Sequence, residues 1–130
     1  MNSNPVGWFE IYVEDMPRAQ AFYESVLKVS LEALEDPSAD KSQGAFSMMT
    51  FPSDMENYGA SGALVHMEGA PVGKNSTLVY FACENCADEA GRVVGAGGVL
   101  EKEKMAIGEY GFIALATDTE GNMIGFHSQV

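Results

Sequence analysis

"WFEIYVEDMPRAQAFYESVL", residues 8–27, joins two different periodicities at one polar hinge. In its first six residues Trp8, Glu10 and Tyr12 fall on one face of a strand, and Phe9, Ile11 and Val13 fall on the other. Only the second face is ordinary core. Glu10 marks the first as a face that meets water or a ligand. The period then lengthens. Asp15 is placed to cap a helix over "MPRAQAFYESVL" (16–27), and Pro17 lies in the first turn, where a missing amide hydrogen costs little. Ala19, Phe22, Val26 and Leu27 recur at helical spacing, which predicts an amphipathic helix packed on the Phe9, Ile11, Val13 face.

Outward from this unit, "SLEAL" (30–34), "AFSMMTF" (45–51) and "ALVHM" (63–67) read as strands, separated by loops over 36–44 and 52–62 that are rich in Pro, Gly, Ser and Asp. Gly69, Pro71 and Gly73 make 68–75 a connector. The same order then returns: a strand "TLVYFAC" (77–83), a helix over "CADEAGRVVGA" capped by Asn85, and strands at "GGVLEKE", "GFIALAT" (111–117) and "NMIGFHS" (122–128). "DTEG" (118–121) is a turn by composition. "WFEIYVEDMPRA" from residue 8 and "LVYFACENCADE" from residue 78 share apolar positions, caps and helix starts, so the chain repeats a pattern rather than residues. The reading is α+β: one domain of two βαβββ modules, about 5–67 and 76–130, joined by the connector 68–75.

A chain of 130 residues with 46% hydrophobic residues is long and apolar enough for one real core. A net charge of −12 and a pI near 4.3 argue against nucleic acid or an anionic membrane as partner, since either needs clustered positive charge. No apolar run reaches the length of a membrane span, and "MNSNPVGWF" lacks the basic and apolar regions of a signal peptide, so cytoplasm is the expected location. Cys83 and Cys86 form a lone C-x-x-C. With no second pair for a zinc ribbon, the expectation is two reduced thiols, one of them buried at the end of a strand.

The segments "VGWFEIYVEDMPRAQAFYESVLKVSLEAL", "STLVYFACENCADEAGRVVGAGGVL" and "GEYGFIALATDTEGNMIGFHS" resemble the vicinal oxygen chelate superfamily, which includes glyoxalase I, extradiol dioxygenases and bleomycin-resistance proteins. The resemblance covers nearly the whole chain, and its most specific pieces are "RAQAFYESVL" and the closing "DTEGN". It implies curved mixed sheets around a cleft, often completed in a homodimer. It also implies metal ligands on the first and fourth strands of each module. Carried onto this chain, those positions are Trp8, Leu78, Gly125 and the neighbourhood of Ala63. None of these side chains can coordinate a divalent cation. The expectation is therefore no metal site and no cofactor, a divalent metal being disfavoured.

Glu10 stands two residues beyond Trp8, Tyr80 two beyond Leu78 and His127 two beyond Gly125, each on the face of the position that precedes it. Glu10 and His127 are the candidate catalytic pair, with Trp8, Tyr12 and Tyr80 as aromatic walls and Tyr58 and Tyr110 on glycine-containing loops that could close over a ligand. Matching "GALVHM" to "IGFHSQ" turns His66 to the opposite face. Glu10 could equally accept structural hydrogen bonds, and the tyrosines could cover core edges. Two functions follow. One is a metal-independent module that binds a small organic molecule in an aromatic cleft. The other is an enzyme, a lyase, isomerase or dioxygenase-like protein that uses Glu10 and His127, metal-free or with a displaced metal.

Overall fold

The structure, a computed structural model, describes residues 6, 8–34, 46–54, 56–57, 59–75 and 77–130. Its elements run β1 (Phe9–Tyr12), α1 (Met16–Leu27), β2 (Glu32–Ala33), β3 (Phe46–Thr50), β4 (Gly62–Met67), β5 (Val79–Ala82), α2 (Cys86–Arg92), β6 (Val99–Ala106), β7 (Phe112–Thr117) and β8 (Met123–Ser128). They build two four-stranded mixed sheets, ordered β1-β4-β3-β2 and β5-β8-β7-β6, each with a parallel first pair and antiparallel remainder. This is the α+β pair of βαβββ units expected from the sequence. The sheets do not close into a barrel. The repeat extends to register, since β1 pairs Glu10 with Ala63 and β5 pairs Tyr80 with Gly125.

Local chemistry accounts for the helices. Asp15 is extended (φ −122°), and its carboxylate accepts from the Arg18 amide at 3.1 Å, which satisfies one of the orphan donors of α1. Asn85 does the same for α2, accepting from the Ala87 amide at 3.0 Å. Arg92 of α2 then reaches back to the last turn of α1, where its Nε donates to the Val26 carbonyl at 2.9 Å. The helix α1 buries Ala19, Phe22, Tyr23 and Val26, whereas Leu27 is only half-buried. Tyr23 is the unexpected member of that stripe.

One apolar core spans both modules. Phe81 of β5 lies 6.0 Å from Phe9, 5.6 Å from Phe51 and 5.9 Å from Tyr23, ring centre to ring centre. Phe9 and Phe51 belong to opposite sides of β4, so Phe81 sits over the face of the first sheet, and β1 and β5 do not run edge to edge. Close approach of α1 to the second module requires Gly98, because a Cβ there would stand 2.6 Å from both the Phe22 ring and the Thr117 carbonyl. Cys83 and Cys86 are both free thiols. The fully buried one is Cys86, at the start of α2, rather than the strand-end Cys83, because the first turn of α2 faces the core. Burial, reinforced by the nearby Glu89 carboxylate, pushes the half-buried Cys83 thiol up to about 12, so it stays protonated and unreactive.

The turn between β7 and β8 locks the two modules together. Asp118 accepts from the Tyr23 hydroxyl at 2.5 Å and from the amides of Glu120 and Asn122 at 2.8 and 2.9 Å. Glu120 accepts from the amides of Glu14 and Asp15 at 3.0 and 2.9 Å and pairs with Arg18 at 2.7 Å. Asn122 donates to the Tyr12 carbonyl at 2.9 Å and accepts from the Gly73 amide at 3.0 Å. All three side chains are buried. Burial, with Asp118 alongside, pushes the Tyr23 phenol well above its usual range.

Burial alone would raise the Glu120 carboxyl, but Arg18 and the surrounding donors outweigh it and hold it at about 2, against an ordinary 4.5. A carboxyl depressed in the folded state contributes stability at pH values above 4.5 that disappears as pH falls through about 2. With Arg18 half exposed, that contribution is on the order of 2 kcal/mol. Urea denaturation across pH 2–5 should therefore show a loss of this size that Glu120→Gln largely removes from the pH profile. Tyr23→Phe should cost about 1–3 kcal/mol at neutral pH by leaving a buried Asp118 oxygen under-satisfied, read as a lower denaturation midpoint with unchanged m.

Candidate functional site

Alternation along β1 carries through to the structure. Ile11 and Val13 are buried in the core, while Trp8 is 46% exposed and Glu10 is open to solvent. On that open face the three side chains are brought together. Trp8 Nε1 donates to one Glu10 oxygen at 3.2 Å, and the Tyr12 hydroxyl donates to the other at 3.1 Å. The carboxylate is thus held between an indole and a phenol, and slight burial together with Glu10 raises the Tyr12 hydroxyl above its usual range. Register extends the row from Glu10 through Ala63 of β4 and Thr50 of β3 to Glu32 of β2. Among the described residues the ion pairs are Arg18 with Glu120 and Arg92 with Glu89, and Glu10 has no cationic partner.

The open face of the second sheet is built differently. Tyr80, 45% exposed, lies across its register partner Gly125, and a Cβ added at 125 would stand 2.4 Å from the Tyr80 ring. His127, one step along the same face, lies opposite Ile113, while Leu115 lies opposite Gly125. His127 Nε2 sits 2.7 Å from the Tyr110 carbonyl. A carbonyl only accepts, so Nε2 is the donor of that bond, and Nδ1 has no hydrogen-bond partner among the described residues. Tyr110 itself, in a 3-10 turn over Gly108–Tyr110, is 68% exposed. His66 points elsewhere: its Nδ1 is 3.0 Å from the Val13 carbonyl, at the core end of β4. Tyr58 lies outside the described residues.

The two open faces lie on the sides of their sheets away from the shared core. Trp8, Glu10 and Tyr12 form one group through their hydrogen bonds, and Tyr80 and His127 share the open face of the second sheet. A shallow depression lies elsewhere, between α2 and β6, where Ala87, Ala90, Leu100 and Lys104 line about 320 Å³. The same description contains no group of three or more His, Cys, Asp or Glu side chains placed to hold a metal ion. The positions where the resemblance puts chelating side chains carry an indole, a buried methyl at Ala63 and a glycine roofed by Tyr80, a donor set that does not fit a metal. No described helix is long and apolar enough to cross a membrane.

The model of the Glyoxalase/Bleomycin resistance protein/Dioxygenase superfamily matches residues 6–126. The chain belongs to that superfamily. Its solved relatives in fold include glyoxalase I from Zea mays, 18% identical with a TM-score of 0.72, where the match covers 96% of this chain and 46% of the maize chain. Glyoxalase I of Leishmania major is 16% identical with a TM-score of 0.69, covering 98% of this chain and 88% of that one. A glyoxalase/bleomycin resistance protein from Albidiferax ferrireducens is 17% identical with a TM-score of 0.65, covering 95% and 98%. The chain thus spans about half of maize glyoxalase I and nearly all of the Albidiferax protein. No curated protein matches it in sequence. At these identities the likeness is one of fold, and function has to be argued from the site.

What reading the strands missed is the Tyr80 ring over Gly125. The signal was there in the pairing of an aromatic with a glycine, but it needs the parallel register to be seen. Gly125→Ala should destabilise the superfamily member by about 1–3 kcal/mol through overpacking against Tyr80, and the penalty should fall to near zero in a Tyr80→Ala background. A double-mutant cycle by urea denaturation measures that coupling.

Proposed function

We propose that this superfamily member is a metal-independent binding module that takes up a small organic molecule on the aromatic face of β1. The observation that carries this reading is the orientation of the two largest polar aromatics of that face, Trp8 and Tyr12, which converge on the exposed carboxylate of Glu10. Large exposed aromatics with one fixed polar group are the ordinary composition of a ligand surface. The lack of donor side chains at the positions where the family resemblance calls for ligands points the same way.

A homodimer completes the site in this proposal. The open face of one protomer, with Trp8, Glu10 and Tyr12, would lie against the partner's Tyr80 and the partner's His127, and Tyr110 would flank the mouth. The faces have the exposed aromatic and apolar character that such a contact needs. One observation favours the enzymatic alternative. The free Nδ1 of His127 is a base held in one orientation by the Tyr110 carbonyl, and across a dimer it would face Glu10, with Tyr80 near enough to steady an oxyanion.

The test combines metal content, assembly and turnover. Protein dialysed against nickel, zinc, manganese and iron(II) should retain far less than one metal per chain. It should sediment as a dimer, and its single tryptophan should be quenched saturably by a ligand that is recovered unchanged. One metal per chain that disappears in both Glu10→Ala and His127→Ala would overturn the reading in favour of a displaced metal site. Turnover of the ligand, abolished in those two variants, would establish the alternative.

A further inference from the structure

The chemistry of the β1 face narrows the class of ligand. A carboxylate on a sheet surface ordinarily has a lysine or arginine across the strand, and the exposed Glu10 forms no ion pair among the described residues. Its two oxygens are each occupied on one side by an aromatic donor, Trp8 Nε1 and Tyr12 Oη. A carboxylate accepts about four hydrogen bonds, so roughly two acceptor sites remain for a ligand.

We infer that the ligand of this face is an organic cation, a protonated or quaternary amine on an aromatic or aliphatic body, seated between the Trp8 and Tyr12 rings with its charge on Glu10. The inference rests on the binding-module reading and goes beyond it in naming the ligand's charge. Four features agree. Ring faces attract cations through their quadrupole, and Trp is the strongest of them. The fixed carboxylate supplies the counter-charge. Glu32 stands at the far end of the register row that starts at Glu10, with only Ala63 and Thr50 between, so the row carries two carboxylates and no basic residue. The net charge of −12 draws cations toward the whole molecule and repels anions. A phosphate, carboxylate or sulfonate ligand would meet Glu10 with no compensating donor from a basic side chain. The same arrangement that selects for an amine therefore selects against the anionic alternatives.

The experiment uses the dimer or monomer as purified and the fluorescence of Trp8, the only tryptophan in the chain, so quenching reports on this face and no other. Benzyltrimethylammonium, benzyl alcohol and phenylacetate are titrated at low and at moderate salt. The expected result is quenching by benzyltrimethylammonium at a concentration on the order of tenfold lower than benzyl alcohol, weakening with salt, and none by phenylacetate. Glu10→Gln, an exposed and nearly isosteric change that leaves the core untouched, should bring the ratio of the cation's affinity to that of benzyl alcohol from about tenfold to near one. Equal or tighter binding of benzyl alcohol, or a cation preference that survives Glu10→Gln, would overturn the cation assignment and leave the binding-module reading standing. Failure of all three probes to quench Trp8 would overturn both.

Discussion

Asp118, Glu120 and Asn122 occupy one turn of the second module, and most of the donors that satisfy them come from outside it. Tyr23, the amides of Glu14 and Asp15 and the Arg18 guanidinium all belong to the β1–α1 unit. Two carboxylates and an amide buried without these partners would cost several kcal/mol, so the turn is stable only where the first module supplies them. The dependence runs both ways. The Tyr23 hydroxyl is buried among aromatic rings, and among the described residues its acceptor is Asp118. The halves of this chain are therefore not two small domains that happen to touch. They share one polar lock beside one apolar core, and neither is complete alone.

The lock also decides which sheet faces stay open. By drawing β1–α1 onto the β7–β8 turn, it places Phe81 over Phe9 and Phe51 and commits the inner face of both sheets to packing. What remains outside is one face per sheet. Stability and site formation thus use opposite sides of the same strands, and the alternation of β1 records both: Ile11 and Val13 for the first, Trp8, Glu10 and Tyr12 for the second. The two outer faces are chemically unequal. The first presents a carboxylate in an aromatic frame, and the second presents a phenol on a glycine and an imidazole among apolar neighbours.

Most of this architecture was legible from local patterns. The period-two and period-3.6 segments, the caps Asp15 and Asn85 and the repeat order place most strands and both helix starts to within a residue or two, whereas α2 ends at Arg92 and not at Ala96, since 93–97 is turn. The exceptions are informative. The stretch 30–34 yields only Glu32–Ala33 as strand, because this outermost strand pairs on one side only, with β3. Conversely, β6 runs to Ala106, well past "GGVLEKE", because two register shifts against β7 let it continue through a charged stretch. Tyr23 escapes a hydrophobic-stripe reading since a tyrosine is core only where its hydroxyl has a partner, and that partner lies 95 residues away in sequence. The site is legible one strand at a time. Parity puts Glu10 on an outward face, but which outward faces meet is a property of long-range packing that no single strand encodes.

Gly125 shows why the fold and its family chemistry part company here. The resemblance puts a chelating side chain at that place, yet the Tyr80 ring already fills the volume in which any side chain would begin. The two residues are register partners on adjacent strands, so each constrains the other: a side chain at 125 requires a smaller residue at 80, and Tyr80 requires glycine at 125. Restoring one ligand by a single substitution would collide before it could coordinate. On the first sheet, Trp8, at the first-strand position of the resemblance, uses its indole nitrogen to donate to Glu10, and an N–H donor cannot double as a metal ligand. The two substitutions therefore do more than omit donors. They commit the same positions to packing and to hydrogen bonding, and they leave Glu10, held by Trp8 and Tyr12, as the charged group of that face.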